Sequence, residues 1–368
     1  MLRFLHAGDL HLDSPMAAFS TQAAAQRRER QFVALETLLS DAVARGAQLI
    51  LLAGDCFDSP TPSENAVARF FGILGEIAIP VVIAPGNHDY YMQGGIWTSP
   101  HRPKNVYVFP SGKLCYFDFP ALNATVYGYA FEGESAMGPD IGRAANLPEN
   151  RIPILLAHTD ITSPLSSYAP ISQGQLEQSG YAYAALGHIH KPMASRVFGK
   201  TLTAYSGFFA GRGFDELGTG QARFIEIDGE SVGESVIDST ADTFERRVLD
   251  CTGAENGEDV RRAVQEFLRH EEFGANTALR LVLEGDVGLN CRIDKNALLY
   301  LGETLALFEV ADHTAPLYDA SYLEKALTLQ GALYRTLLPK LKDEDPQIRA
   351  IAIEALRLGL AALAGREV

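Results

Sequence analysis

Val81-Val82-Ile83-Ala84-Pro85-Gly86-Asn87-His88-Asp89 is an apolar run that stops in a cluster of polar residues. The run reads as a buried strand, and Gly86 opens the sharp turn that ends it. Asn87 offers a carbonyl oxygen able to ligate a metal. His88 offers an imidazole that changes charge near neutral pH. Four further apolar runs end in the same way. Leu2 to Gly8 leads to Asp9 and His11, and Leu49 to Gly54 leads to Asp55. Ile152 to Ala157 leads to His158, and Tyr183 to Gly187 leads to His188 and His190. Continuous apolar runs of this length belong to strands buried on both faces. Sites in open α/β sheets lie outside the carboxyl ends of the strands. The pattern therefore delivers Asp9, His11, Asp55, Asn87, His158, His188 and His190 to one rim of one sheet. Any one of them alone is an ordinary loop side chain. Together, at the ends of successive strands, they point to a metal centre.

Around these runs the chain alternates strand and helix. Phe32, Leu35, Leu38, Leu39 and Val43 recur at helical spacing, which predicts an amphipathic helix over 21–45. Arg27, Arg28 and Arg30 near its start read as a solvated face before a phosphate contact. Ser59 to Glu64 is a turn with an N-cap, and a helix over about 64–77 follows. This rhythm predicts right-handed crossovers and a largely parallel core. Residues 90–104, with Trp97, His101, Arg102 and Lys104, are either a substrate lid or a connection. The short alternating segments of 105–131 read as strands of a second sheet packed on the first. Residues 132–150 read as a loop or short helix, 191–200 as a hairpin, and Gln221 to Asp228 as a closing strand. A first domain spans 1–240. A β-α-β-α-β run over 241–318 is a small α/β domain without a ligand-like cluster. Residues 319–368 read as helix, with Pro339 and Pro346 bracketing a break. Its apolar residues either pack on the chain's own body or form a docking face for a partner helix.

The hydrophobic share of 47% over 368 residues is ordinary for a globular protein with a large core. Cys56, Cys115, Cys251 and Cys291 form no close pairs. That excludes a zinc ribbon or disulfide scaffold and points to a reducing, cytoplasmic setting. The chain enters a strand at once, so no signal peptide is expected, and no apolar run is long enough to span a bilayer. The net charge of −15 argues against a general nucleic-acid coater. It does not exclude an enzyme acting on phosphate esters, because divalent metals reverse the sign at the site itself.

Mixed Asp, Asn and His ligands suit manganese, iron or zinc better than calcium. They are too many for one tetrahedral zinc. Two metals need a bridging carboxylate, and such pairs clamp the attacking and leaving oxygens of a phosphoryl displacement. Asp55, on a central strand, is the natural bridge. His88 is then free to protonate the leaving oxygen or to stabilise charge on the phosphorane. Asp58 either orients His88 or caps the turn before Pro60.

Asp9-x-His11, Gly54-Asp55, Gly86-Asn87-His88-Asp89, His158 and Gly187-His188-x-His190 resemble the five motifs of the calcineurin-like metallophosphoesterases. The resemblance implies a two-sheet α-β-β-α sandwich with a dinuclear centre. One metal would take Asp9, His11, Asp55 and His190, and the other Asp55, Asn87, His158 and His188. A metal-bridging hydroxide would attack phosphorus, with His88 as general acid. No ligand position is substituted. Asp9-Leu10-His11-Leu12-Asp13-Ser14-Pro15, Gly54-Asp55-Cys56-Phe57-Asp58, Gly187-His188-Ile189-His190-Lys191-Pro192 and Tyr205-Ser206-Gly207 with Gly211-Arg212 narrow it. They are similar to SbcD-type DNA repair nucleases and their shorter YhaO-like branch, over roughly 1–230. That likeness implies DNA as substrate, manganese as the first choice of metal, and Arg212 as a substrate contact. It also implies a capping domain and a helical tail docking on an SMC-like ATPase of the SbcC type. Pairing of two copies is left open. The rival reading is a phosphodiesterase or phosphatase on small nucleotides using the same centre. A metal-binding scaffold without turnover is opposed by the intact ligand set and His88.

Overall fold

A strand sends alternate side chains to opposite faces, and here each face of the central strands meets its own core. The computed structural model describes residues 1–17, 19–142, 151–191, 193–288 and 291–365. Pro192, and the 143–150 part of the expected loop or short helix, lie outside the described residues. The chain divides into two compact units, Met1–Thr243 and Phe244–Val368.

The first unit runs β1 (Leu2–Ala7), α1 (Thr21–Ala44), β2 (Leu49–Leu52), α2 (Glu64–Glu76), β3 (Val81–Ile83) and β4 (Val106–Val108). It continues through β5 (Cys115–Phe119), β6 (Ala124–Gly128), β7 (Ile152–His158), α3 (Gln173–Ser179) and β8 (Tyr183–Gly187). β9 (Arg196–Phe198), β10 (Thr201–Tyr205), β11 (Gln221–Asp228) and β12 (Ser231–Asp238) complete it. One sheet has the order β12-β11-β1-β2-β3-β4, the other β5-β6-β7-β8-β10-β9. Strands β1 to β4 are parallel, with β11 and β12 antiparallel on the far side of β1; β6, β7, β8 and β10 are parallel, with β5 and β9 antiparallel at the two edges.

Phe4, Leu49, Leu51 and Val82 of the first sheet meet Val126, Ile154, Leu156 and Ala185 of the second in the core between them. The alternate residues Leu5, Ile50, Leu52 and Ile83 pack with Leu35, Leu38, Phe70 and Phe71 of α1 and α2. Leu155, Ala157, Ala184 and Leu186 pack with Leu176 of α3. The result is the expected α-β-β-α sandwich, with each buried Leu or Ile contributing about 1.5–3 kcal/mol. The expectation of a single sheet is corrected. β1, β2 and β3 belong to one sheet, β7 and β8 to the other. A run buried on both faces carries no mark of which sheet it joins. β12 escaped reading because Ser231–Asp238 is mostly exposed and polar, with no apolar run.

His6 sits fully buried on β1. Its Nε2 lies 3.1 Å from the Leu186 carbonyl and its Nδ1 3.0 Å from the Tyr183 hydroxyl. Nε2–H donates to that carbonyl, so Nδ1 accepts from Tyr183 and the neutral ring is satisfied. Burial, reinforced by Arg223, lowers its pKa to about 3. As pH falls below the ordinary histidine value, the unfolded chain takes up this proton and the folded chain does not. Stability is therefore lost between about pH 6.5 and pH 3. Going from about pH 7 to pH 5 removes about 2 kcal/mol through this ring. Urea unfolding of EDTA-treated wild type and His6→Gln at both pH values checks it. The stability difference between them should narrow by that amount on acidification. A difference independent of pH would refute the assignment.

The 90–104 segment is pinned at Trp97. This ring is fully buried against Phe57, Phe70 and Phe71, at centroid distances of 6.2, 6.4 and 6.4 Å. Its Nε1–H donates to the Asp89 carbonyl. At this point the segment is a connection anchored in the core. Trp97→Ala should cost about 3–5 kcal/mol of stability in chemical denaturation. A loss below about 1 kcal/mol would mean the ring is not held there.

The second unit contains β13 (Thr243–Asp250), α4 (Gly257–His270), β14 (Thr277–Glu284), β15 (Asp286–Val287), α5 (Lys295–Leu299), β16 (Leu307–Asp312) and β17 (Ala315–Pro316). The helices α6 (Ala320–Lys325), α7 (Leu329–Leu341) and α8 (Pro346–Leu363) follow. Strands β13-β14-β16 form its main sheet. Leu323, Tyr334, Leu356 and Leu360 hold the helices together. Pro339 lies inside α7 rather than at its break, and only Pro346 marks a helix start, where its missing N–H is no loss.

Candidate metal centre

Register brings the strand ends level. Ala7 pairs with Leu52, Leu52 with Ile83, and His158 with Gly187. The residues that follow leave the sheets in left-handed backbone conformations. Asp9, His11 and Asp55 have φ of 49°, 44° and 47°, and His188 has φ 102°. Such non-glycine conformations cost on the order of 1–3 kcal/mol each and persist only where the surroundings fix them. Here Asp9 N–H donates to Gly54 O at 3.0 Å and His11 N–H to Asp55 O at 2.9 Å. The His188 N–H reaches both Asp9 carboxylate oxygens, at 3.1 and 3.0 Å. Two glycines are fixed by the same crowding. A β-carbon on Gly86 would run into Asp55 Oδ1, and one on Gly54, at φ 86°, would run into His158.

Asp9, His11 and His190 converge, as do Asp9, Asp55 and His158, with ligand atoms within 4.8 Å of one another in each group. His11 Nδ1 lies 2.9 Å from Asp58 Oδ1, and His190 Nδ1 lies 2.7 Å from Glu216 Oε1. A hydrogen on each Nδ1 leaves both Nε2 atoms as lone pairs. Those lone pairs face each other at 3.1 Å. Asp55 Oδ2 and Asp9 Oδ1 each stand 3.8 Å from one of them. Four electron-rich atoms so close repel unless a cation lies among them. On the other side, His158 Nδ1–H donates to Ala53 O at 2.9 Å. Its Nε2 then faces Asn87 Oδ1 at 3.0 Å and Asp55 Oδ2 at 3.3 Å. The His188 ring stands 5.2 Å from that of His158 and is backed by Tyr168 at 4.5 Å. Asp55 Oδ2 thus faces imidazoles of both groups. The donor set fits two divalent cations.

The electrostatics agree. Burial pushes the Asp9 pKa up, with the Asp55 charge adding to it. Burial also opposes ionisation of Asp55, but His158 and His11 outweigh it and hold that carboxyl well below its usual range. His158 is pulled down by burial, yet Asp55 and Asp9 raise it to about 9. Burial and the neighbouring His158 lower His188 to about 4. Glu216 is opposed by burial and held at about 2 by His190 and Arg212.

Residues 2–192 match the calcineurin-like phosphoesterases. The chain belongs to that family. With two cation-binding clusters it is a metal-dependent hydrolase. The phosphoesterase is 28% identical over 296 residues to the uncharacterized metallophosphoesterase YhaO of Bacillus subtilis (strain 168), covering 77% of this chain and 72% of that one. It is 26% identical over 207 residues to the DNA double-strand break repair protein Mre11 of Saccharolobus solfataricus, covering 52% and 50%. With the protein of the same name from Aeropyrum pernix it shares 24% over 261 residues, covering 63% and 59%. It therefore spans only about half to three-fifths of the length of those two relatives.

His88 stands outside the two convergent groups. Its side chain is exposed, its ring lies 4.9 Å from that of His11, and its Nδ1–H donates to the Asp58 carbonyl at 3.0 Å. Asp58 does meet His88, but through its backbone. Its carboxylate holds His11 instead. Arg212, expected to meet substrate, is bonded to Asp58 Oδ1 at 2.7 Å and to Glu216 Oε1 at 2.6 Å. Two residues were missed. Glu216 pairs with Arg212 four residues before it, outside any helix, and reaches His190 from 26 residues away, so no local pattern announced it. Asp89, adjacent to His88, accepts from Gly86 N–H at 2.7 Å and from Cys56 and Phe57 N–H at 2.7 and 3.2 Å. It ties the Asn87-His88 turn to the Asp55 loop.

Proposed function

We propose that this phosphoesterase is a manganese-dependent DNA nuclease of the SbcD type, working in the cytoplasm beside an SMC-like ATPase of the SbcC type. The observation that carries the reading is its likeness, through and beyond the phosphoesterase motifs, to two proteins named for DNA double-strand break repair. Asp9, His11, Asp55 and His190 would hold one cation, and Asp55, Asn87, His158 and His188 the other. Bound cations would polarise a phosphate oxygen and supply a nucleophile at neutral pH. His88, fixed by its bond to Asp58 O, presents Nε2 as the atom that exchanges a proton with the leaving oxygen. The ATPase would dock on the helical end of the second unit, where Leu327, Leu329, Ile351 and Ile353 are 99%, 74%, 70% and 56% exposed. It would also supply the duplex affinity that a chain of charge −15 lacks.

That same charge favours the second reading, a phosphodiesterase on small nucleotides. One assay separates them. The purified chain, with and without a partner ATPase, is incubated with manganese and labelled linear duplex, single strand or hairpin, beside bis(p-nitrophenyl) phosphate. Cleavage of DNA supports the nuclease. Cleavage of the small diester alone, even with the ATPase present, would overturn it.

A further inference from the structure

The two cation positions are held in physically different ways. The ring of His158 is fixed by a backbone carbonyl, Ala53 O, so a strand end sets its tautomer and direction. Among the described residues, the Nδ1 atoms of His11 and His190 are held by side chains, Asp58 and Glu216. Those two carboxylates come from different loops, one after β2 and one after β10. A single group joins them. The Arg212 guanidinium gives one N–H to Asp58 Oδ1 at 2.7 Å and another to Glu216 Oε1 at 2.6 Å. Its Nε lies 3.1 and 3.3 Å from the two Glu216 oxygens, and its backbone N–H lies 2.8 Å from Glu216 Oε2. The chain His11, Asp58, Arg212, Glu216, His190 is therefore a closed ring, and the gap where it closes is the 3.1 Å between the two Nε2 atoms.

We infer that Arg212 is a positioning residue for one cation only, the one held by Asp9, His11 and His190. The planar fork of Arg reaches two carboxylates at once, which a lysine ammonium on its flexible stem does not do with the same geometry. Removing it frees Asp58 and Glu216 to rotate, and the two imidazoles lose their common aim. Among the described residues, no hydrogen bond or ion pair joins a member of this ring to Ala53. Partners of this outer kind typically carry 10–100-fold in metal affinity. The inference rests on the two-cation reading of the site and is independent of whether the substrate is DNA.

Manganese binding to the EDTA-treated full-length chain tests it. Free Mn²⁺ is followed by electron paramagnetic resonance, and circular dichroism of each metal-free variant reports folding. Wild type should bind two ions. Arg212→Gln should leave one at its wild-type affinity and weaken the other by about 10–100-fold. Asp58→Asn should weaken the same ion from the opposite arm of the ring. The Arg212→Gln/Asp58→Asn double variant should lose less than the product of the two, because both act on one ring. Arg212→Lys should recover little. Equal weakening of both ions in a folded variant would overturn the inference, as would two unchanged affinities. Wild type that binds no manganese would overturn the two-cation reading itself. Failure of the variants alone leaves that reading standing.

Discussion

His88→Ala should leave both cations bound and lower turnover of an ordinary alkyl phosphodiester by about 10²–10⁴-fold. The geometry separates the two effects. The His88 backbone N–H, which the substitution keeps, donates to Asp55 Oδ1 at 2.9 Å and so continues to orient that carboxylate. The imidazole itself is outside the Asp9-His11-His190 and Asp9-Asp55-His158 groups. A third convergence, His11-Asp58-His88, includes the Asp58 carboxylate, which already accepts from His11 Nδ1. The loss should therefore depend on the leaving group. An alkoxide needs a proton to depart, whereas p-nitrophenolate departs without one, so bis(p-nitrophenyl) phosphate should be cleaved with a much smaller deficit. Manganese titration and turnover of both diesters check this. Equal deficits on the two substrates would assign His88 to charge stabilisation rather than proton transfer, and full activity would remove it from the mechanism.

What could be read from residues alone divides along a physical line. Strand ends and their chemistry are local, so Asp9, His11, Asp55, Asn87, His158, His188 and His190 were legible from five apolar runs and the turns that stop them. The bodies of β1, β2, β7 and β8 were equally legible, because burial on both faces leaves an unbroken apolar signature. Sheet membership was not, since Leu49-Ile50-Leu51-Leu52 and Ile154-Leu155-Leu156-Ala157 look alike while lying in opposite sheets. Nor were the groups that act through other groups. Asp58 lies 47 residues from the His11 ring it holds, and Glu216 lies 26 from His190. Only the folded rim brings them together. Asp58 meets His88 through its backbone carbonyl rather than its carboxylate. Proximity to His88 was right, but in an open turn a backbone carbonyl competes for the imidazole N–H, and the carboxylate was drawn to the buried His11 and to Arg212. Trp97 shows the converse. A lone aromatic in a polar, glycine-rich stretch reads equally as part of a lid or of a connection, and three phenylalanines around Trp97 make it an anchored connection at that point.

Asp55→Asn should abolish binding at both positions together and reduce turnover by at least about 10³-fold, several kcal/mol of charge stabilisation. The argument turns on one atom. Oδ1 accepts the His88 N–H, and an amide oxygen can continue to do so. Oδ2 is the atom that faces both sides, 3.3 Å from His158 Nε2 and 3.8 Å from His11 Nε2. An amide nitrogen there turns an acceptor into two N–H donors aimed at the places where cations should sit, and removes a full negative charge from a fully buried cluster. Thermal unfolding gives a readout that needs no substrate. A cation bound only by the folded chain stabilises it by about 2.7 kcal/mol per site at 100-fold excess over its Kd. Wild type should therefore melt higher in manganese than in EDTA, while Asp55→Asn should melt at one temperature in both. If the variant kept a manganese-dependent rise, Asp55 would not be the shared carboxylate, and the pairing of the two positions through it would have to be abandoned.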